Sequence, residues 1–102
     1  MKECCRKDLM EQFGDDAEAV DAIYAEYVSS IGAKMAEADA ALAAGAWDAL
    51  DRAAHTVKGN ALAAGDTQMA EAAIALRNAA KLQERDQAGQ LMADLRALEE
   101  QL

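Results

Sequence analysis

Proline is absent from all 102 residues, and phenylalanine, tryptophan and histidine occur once each. Without proline, nothing in the chain forces a helix to break. Aromatics at 4% and few β-branched residues leave little of the material from which sheets are built. Positive charge is scarce too. Ten Lys and Arg stand against 19 Asp and Glu, for a net charge of −9 and a pI near 4.4. That deficit works against nucleic acid, whose phosphates would be repelled, and against an anionic membrane surface. No apolar run reaches spanning length, and the charged start Met1-Lys2-Glu3 lacks the apolar core of a signal peptide, so a soluble cytoplasmic protein is expected. One histidine and the adjacent Cys4 and Cys5 do not supply a metal site, and neither metal nor cofactor is expected. In a reducing compartment the two cysteines read as free thiols on a frayed end, residues 1–5; the alternative is a redox or lipid-bearing pair.

What the chain does have is alanine, with Leu, Met, Glu, Gln, Lys and Arg filling much of the remainder, a composition that favours helix. Residues 1–102 are of one-domain length, and a chain of this size buries about two-thirds of its unfolded surface. A short helix is expected around Arg6 to Phe13, with Leu9, Met10 and Phe13 on one side and Gly14 ending it. Asp15 and Asp16 offer an N-cap for a long helix whose apolar seam is Val20, Tyr24, Tyr27, Ile31, Met35, Ala38 and Leu42, closed by Gly45. The next seam is Trp47, Leu50, Ala54, Val57, Ala61 and Ala64, closed by Gly65. Asp66 or Thr67 caps a fourth helix with Met69, Ala72 or Ala73, Leu76 and Ala80 inward. Asp86 caps a last one carrying Leu91, Leu95, Leu98 and Leu102. Short links imply that successive helices run antiparallel. The expected fold is all-α: an antiparallel up-down four-helix bundle with a short additional N-terminal helix.

The chemistry concentrates at His55-Thr56-Val57-Lys58-Gly59. Histidine is the side chain whose ordinary pKa lies near neutrality, so a neutral ring nitrogen is available as a nucleophile at cellular pH. Lys58 and Gly59, three and four residues on, share its helix face. A cation beside a nucleophile suits a negatively charged group in transit, and a residue without a side chain leaves room for whatever delivers it. His55 falls about 130° from the centre of its helix's apolar seam, so it faces solvent or a groove beside a neighbouring helix. Gly59 and Leu62 share that outer face, with Ala63 close by, which makes a low, partly apolar docking patch. Arg52 and Lys58 favour an incoming phosphoryl group. Asp51, one turn before His55, opposes it, accepts a hydrogen bond from Nδ1, or is a solvated helix charge. Lys58-Gly59-Asn60 also has the form of a helix stop. The seam's continuation through Ala61 and Ala64 favours an unbroken helix, in which Gly59 costs about 1 kcal/mol against alanine.

At these residues the sequence resembles the histidine-containing phosphotransfer (HPt) domains of phosphorelays. The resemblance rests on Ala54 to Gly59, the small residues through Ala64, Gly65 ten residues after the histidine, a following helix from near Gln68, and the turn Ala44-Gly45-Ala46-Trp47-Asp48. It covers about Leu9 to Leu102. It implies a phosphoryl carrier between aspartates of receiver domains, with His55 as phosphoacceptor, Lys58 as phosphate-stabilising cation and Gly59 as the clearance position. Where many members carry an imidazole-orienting glutamine on the next helix, this chain has Arg77, a possible second cation, with Lys81 one turn further along.

No G-x-x-x-x-G-K-[ST] loop and no acidic cluster for Mg²⁺ is evident, so autokinase activity is not expected and the metal would come from the partner. The implied partners are response-regulator receiver domains and a hybrid histidine kinase; the chain itself reads as a monomer. Two alternatives remain open at this point. One is a helical scaffold without chemistry, and the other is the phosphoacceptor domain of a separate-chain histidine kinase.

Overall fold

The computed structural model describes residues 1–14 and 16–102. They form five helices and no strand: α1 (Glu3–Phe13), α2 (Ala17–Ala44), α3 (Trp47–Ala63), α4 (Thr67–Lys81) and α5 (Arg85–Glu100). Helix α3 packs against α2 and α4, α5 packs against α4 and α2, and α1 lies on α2. The body measures 44 × 19 × 18 Å. None of the helices is long and apolar enough to cross a membrane.

The seams of α2, α3 and α4 lie where the periodicity puts them. Val20, Tyr24, Tyr27, Ile31, Met35 and Ala38 are buried along α2, while Leu42 at its end is half-buried beside a buried Ala41. Leu50, Ala54, Val57, Ala61 and Ala64 are buried along α3, with Trp47 half-buried at its start. On α4 the buried set is Met69, Ala70, Ala73, Leu76, Ala79 and Ala80. So many alanines at contact positions hold the helices close, since nothing bulkier than a methyl separates the backbones there.

Terminations follow local chemistry. Asp16 caps α2 by accepting from the Ala19 amide at 3.1 Å; Asp15, the other expected cap, lies outside the described residues. Gly45 ends α2 in the left-handed region at φ 66°. Gly65, at φ 74°, has a second reason to be glycine: a Cβ there would sit 2.6 Å from Cγ of Asp8 on α1. Gly32, inside α2, has no such constraint, because a Cβ would meet only a Glu99 carboxylate oxygen at 3.6 Å.

Three expectations need correcting. Residues 3–5 are not a frayed end but the first turn of α1, with Cys5 fully buried and Cys4 exposed. The inward pair on α1 is Cys5 and Leu9, one turn apart, whereas Met10 and Phe13 remain 37% and 45% exposed. Helix α5 starts before Asp86, at Arg85, with Glu84 in the cap position and no side-chain cap. Its deepest residues are Ala88, Met92 and Leu95, with Leu91, Leu98 and Leu102 partly buried beside them. Of the leucine repeat only Leu95 reaches the centre of that face, and Leu91, Leu98 and Leu102 mark its edge.

The N-terminal order has a polar cause. Asp66, the cap chosen for α4, is fully buried. It accepts from Lys2 Nζ at 2.8 Å, Tyr27 Oη at 2.8 Å and the Met69 amide at 3.4 Å. Nearby, the Lys2 amide donates to Tyr24 Oη at 3.4 Å, and Tyr24 donates to the Leu102 carbonyl at 3.2 Å. Both chain ends are thereby tied to one end of the molecule. At the other end Arg85 stacks over the Trp47 ring at 5.5 Å and donates to the Leu42 carbonyl at 3.0 Å.

Candidate functional site

Helix α3 presents His55 on its outer face, where the side chain is exposed. The backbone runs without interruption from Trp47 to Ala63. The helix ends only where the Gly65 and Asp66 amides turn back to the Leu62 and Ala61 carbonyls at 3.2 and 2.8 Å. Gly59 is therefore mid-helix, and the helix-stop reading of Lys58-Gly59-Asn60 is excluded. A Cβ on Gly59 would meet nothing within 4 Å. The space beside His55 at this position is open to solvent.

A groove of about 320 Å³ between α3 and α4 is lined by Asp51, Arg52, His55, Thr56 and Arg77. Arg77 reaches across from α4, and its Nε donates to Asp51 Oδ1 at 2.9 Å. That ion pair is about one-quarter exposed on each side. Asp51 is thus engaged by Arg77, which partly neutralises the one carboxylate placed a turn before His55. Arg52 is exposed, Lys58 is half-buried, and neither makes an ion pair among the described residues. An acidic molecule here gathers three cations around one imidazole, two of them unpaired. Such a cluster attracts an anionic group more strongly than the net charge of −9 would suggest.

Leu62, at 56% exposure, lies two turns beyond His55 on the same face. The exposed Ala63 turns toward α2 and lines a separate hollow of about 310 Å³ with Ile23, Glu26, Tyr27, Ser30, Asn60 and Ala64. Asn60 ties the two helices there by donating to Ser30 Oγ at 2.6 Å. The structure therefore brings His55, Arg52 and Arg77 to one groove, keeps Lys58, Gly59 and Leu62 on the adjoining surface, and places Ala63 in the next depression. Lys81 is exposed at the end of α4. One surface residue escaped the sequence reading. Ile74, three positions before Arg77 on α4, is 44% exposed. Its signal was a β-branched apolar residue off the α4 seam, on the side that carries Arg77.

The open space at Gly59 gives a prediction that separates stability from docking. Gly59→Ala should raise stability by about 1 kcal/mol in chemical denaturation, because alanine is the better helix former and its methyl meets nothing. Gly59→Gln should also keep the fold while placing a long side chain beside His55, so any macromolecule that docks over His55 should bind about tenfold more weakly or worse. A lower melting temperature for Gly59→Ala, or unchanged binding of such a partner by Gly59→Gln, would overturn this account.

Against known proteins, a family model described as the Hpt domain matches residues 8–102 of the chain. No curated protein and no solved structure matches it.

Proposed function

The chain belongs to the Hpt domain family, the phosphocarrier modules of two-component phosphorelays, and from that premise we propose that it carries a phosphoryl group on His55 between aspartates of receiver domains. The observation that carries the proposal is a lone exposed histidine in a groove edged by Arg52 and Arg77, with Lys58 one turn on and open space at Gly59. In this reading residues 1–102 are a single domain. Helices α2 to α5 form an antiparallel up-down four-helix bundle, a layout supported by the closed ring of contacts from α2 through α3, α4 and α5 back to α2. The protein acts as a cytoplasmic monomer that needs no cofactor of its own.

The chemistry asks for positioning and charge neutralisation more than covalent work by the protein. The Nε2 lone pair of neutral His55 attacks the phosphorus of an aspartyl phosphate in line. The P–O bond to the aspartyl carboxylate breaks, and the carboxylate leaves with the bonding pair. The phosphorylated ring then releases its Nδ1 proton to water. Onward transfer runs these steps in reverse: Nδ1 regains a proton from water, an acceptor aspartate oxygen attacks the phosphorus, and the P–N pair returns to Nε2 as neutral imidazole leaves. Lys58 and Arg52 offset charge on the phosphoryl oxygens, and Leu62 and Ala63 give the partner an apolar surface. A receiver supplies the aspartate; a hybrid histidine kinase is the upstream source.

Incubation with a panel of phosphorylated receiver domains tests the proposal. Acid-labile, base-stable phosphate on the chain is expected with at least one of them, without added ATP. Uptake that needs a histidine kinase and ATP with no receiver would favour the phosphoacceptor-domain reading. Uptake from no donor would leave a helical scaffold.

A further inference from the structure

The ion pair between Asp51 and Arg77 lies in the same groove as His55 and bridges the two helices that form it. Only Nε of the guanidinium donates to Asp51. The two terminal nitrogens make no hydrogen bond to any described residue. Arginine presents five N–H donors in a planar fork, so a guanidinium held through Nε keeps the donors best suited to a phosphoryl group free. The pair is also partly open to water, where such an interaction contributes little and exchanges readily. Asp51 is the sole described partner of Arg77, and it stands one helical turn from the ring that would be phosphorylated.

Resting on the phosphocarrier reading, the geometry points to an exchange of partners: Asp51 holds Arg77 ready beside unmodified His55, and Arg77 moves to the phosphoryl group once His55 carries it. Asp51 is a positioning residue in this account, and Arg77 is the group that contacts the phosphoryl oxygens. The physical drive is charge. A dianionic phosphoryl group with three acceptor oxygens outcompetes one carboxylate for a guanidinium. The same contact slows loss of the group. Hydrolysis through a loose transition state draws charge off the phosphoryl oxygens toward the leaving nitrogen, so a cation on those oxygens stabilises the starting state more. Lys58, on the same helix as His55, has no carboxylate to exchange, so the exchange belongs to Arg77 alone.

Phosphoramidate tests this without any protein donor. Nε2 attacks its phosphorus, the P–N bond of the reagent breaks, and ammonia leaves. ³¹P spectra report loading of His55, and ¹⁵N spectra of the arginine side chains report Arg77 Nε–H. In the parent the Arg77 signal should move on loading. Asp51→Asn should shift that signal before loading and leave the loaded position close to the parent's. Arg77→Ala should shorten the phosphohistidine half-life by about three- to tenfold, with Arg77→Lys recovering part of it. Helix content should stay unchanged in all three variants. An Arg77 signal that stays in place while ³¹P shows phosphohistidine, or an unchanged half-life in Arg77→Ala, overturns the exchange and leaves the carrier function standing. If phosphoramidate modifies the chain elsewhere and never at His55, the carrier reading falls and the exchange falls with it.

Discussion

Replacing His55 by glutamine is expected to reduce phosphoryl uptake to background while leaving stability within about 0.5 kcal/mol of the parent. Glutamine is close to imidazole in reach and polarity, but its amide nitrogen has no free lone pair with which to attack phosphorus. His55 is exposed and makes no hydrogen bond to a described residue, so removing it unfolds nothing. It is also the only histidine in the chain, so no second imidazole can take over. Radiolabel transferred from a phosphorylated receiver, together with urea denaturation of both proteins, checks the two halves separately. Acid-labile label that persists on His55→Gln would move the carrier site to another residue. Loss of label accompanied by loss of stability would mean that His55 has a structural role the geometry does not show.

The largest effect on stability is expected at Asp66, far in character from the exposed site. Asp66→Ala removes the cap of α4, leaves the buried Tyr27 hydroxyl without its acceptor and releases Lys2. A lost cap costs about 1 kcal/mol and an orphaned buried donor about 1–3 kcal/mol. Lys2 is close enough to the surface to turn to water, so a total near 3 kcal/mol is expected, or a fall in Tm on the order of 15 °C. A loss below about 1 kcal/mol would reduce Asp66 to an ordinary cap. The surroundings add a pH signature. Burial, and then the Asp66 charge, push the Cys5 thiol from its ordinary 9.0 up to about 12. Burial and the hydrogen bond to Asp66 raise Tyr27 well above the ordinary tyrosine range. In the unfolded chain both groups ionise at their ordinary values, so the unfolded state gains first as pH rises. Stability should be full below about pH 9 and decline between pH 9 and 12, and the decline should be shallower in Cys5→Ala.

The site residues differ in how they became legible. His55, Lys58 and Gly59 could be read from the sequence because all three sit on one helix, where spacing alone decides which residues share a face. The exposure of His55 followed from the same arithmetic, since the seam from Trp47 to Ala64 left it on the far side. Gly59 was readable only as a choice between cap and clearance. The choice was settled by the two amides that close the helix at Gly65, and by the absence of any atom near its missing side chain. Arg77 is the opposite case. Its position on α4 could be counted, but not its hold on Asp51, a contact between residues 26 apart in the chain. Ile74 went unread because its one sign, an apolar residue off the seam, gains meaning only once the neighbouring helices leave it uncovered.

The N-terminus and α5 show where local pattern stops. Residues 1–5 are a short end with no apolar seam of their own, and by local criteria such an end frays. They are ordered because Asp66, 64 residues further on, needs a cation inside the molecule and Lys2 supplies it. In α5 the leucine pattern gave the correct side of the helix and one central residue, Leu95, while Leu91, Leu98 and Leu102 lie at the edge and Ala88 and Met92 fill the centre. Which residue goes deepest depends on how α2 and α4 pack against the helix.

By itself the sequence determined the helical class, through alanine, the absence of proline and the glycines and aspartates at the ends. It also determined the buried seams of α2, α3 and α4 and the outward histidine, because each depends on residues within a turn or two of one another. Tertiary structure alone decided that Asp51 belongs to Arg77, that Asp66 ties the N-terminal Lys2 to the start of the fourth helix, and that Ala88 and Met92 share the buried centre of the fifth with Leu95. Those outcomes depend on distances between helices, and periodicity along one helix holds no information about its distance from another.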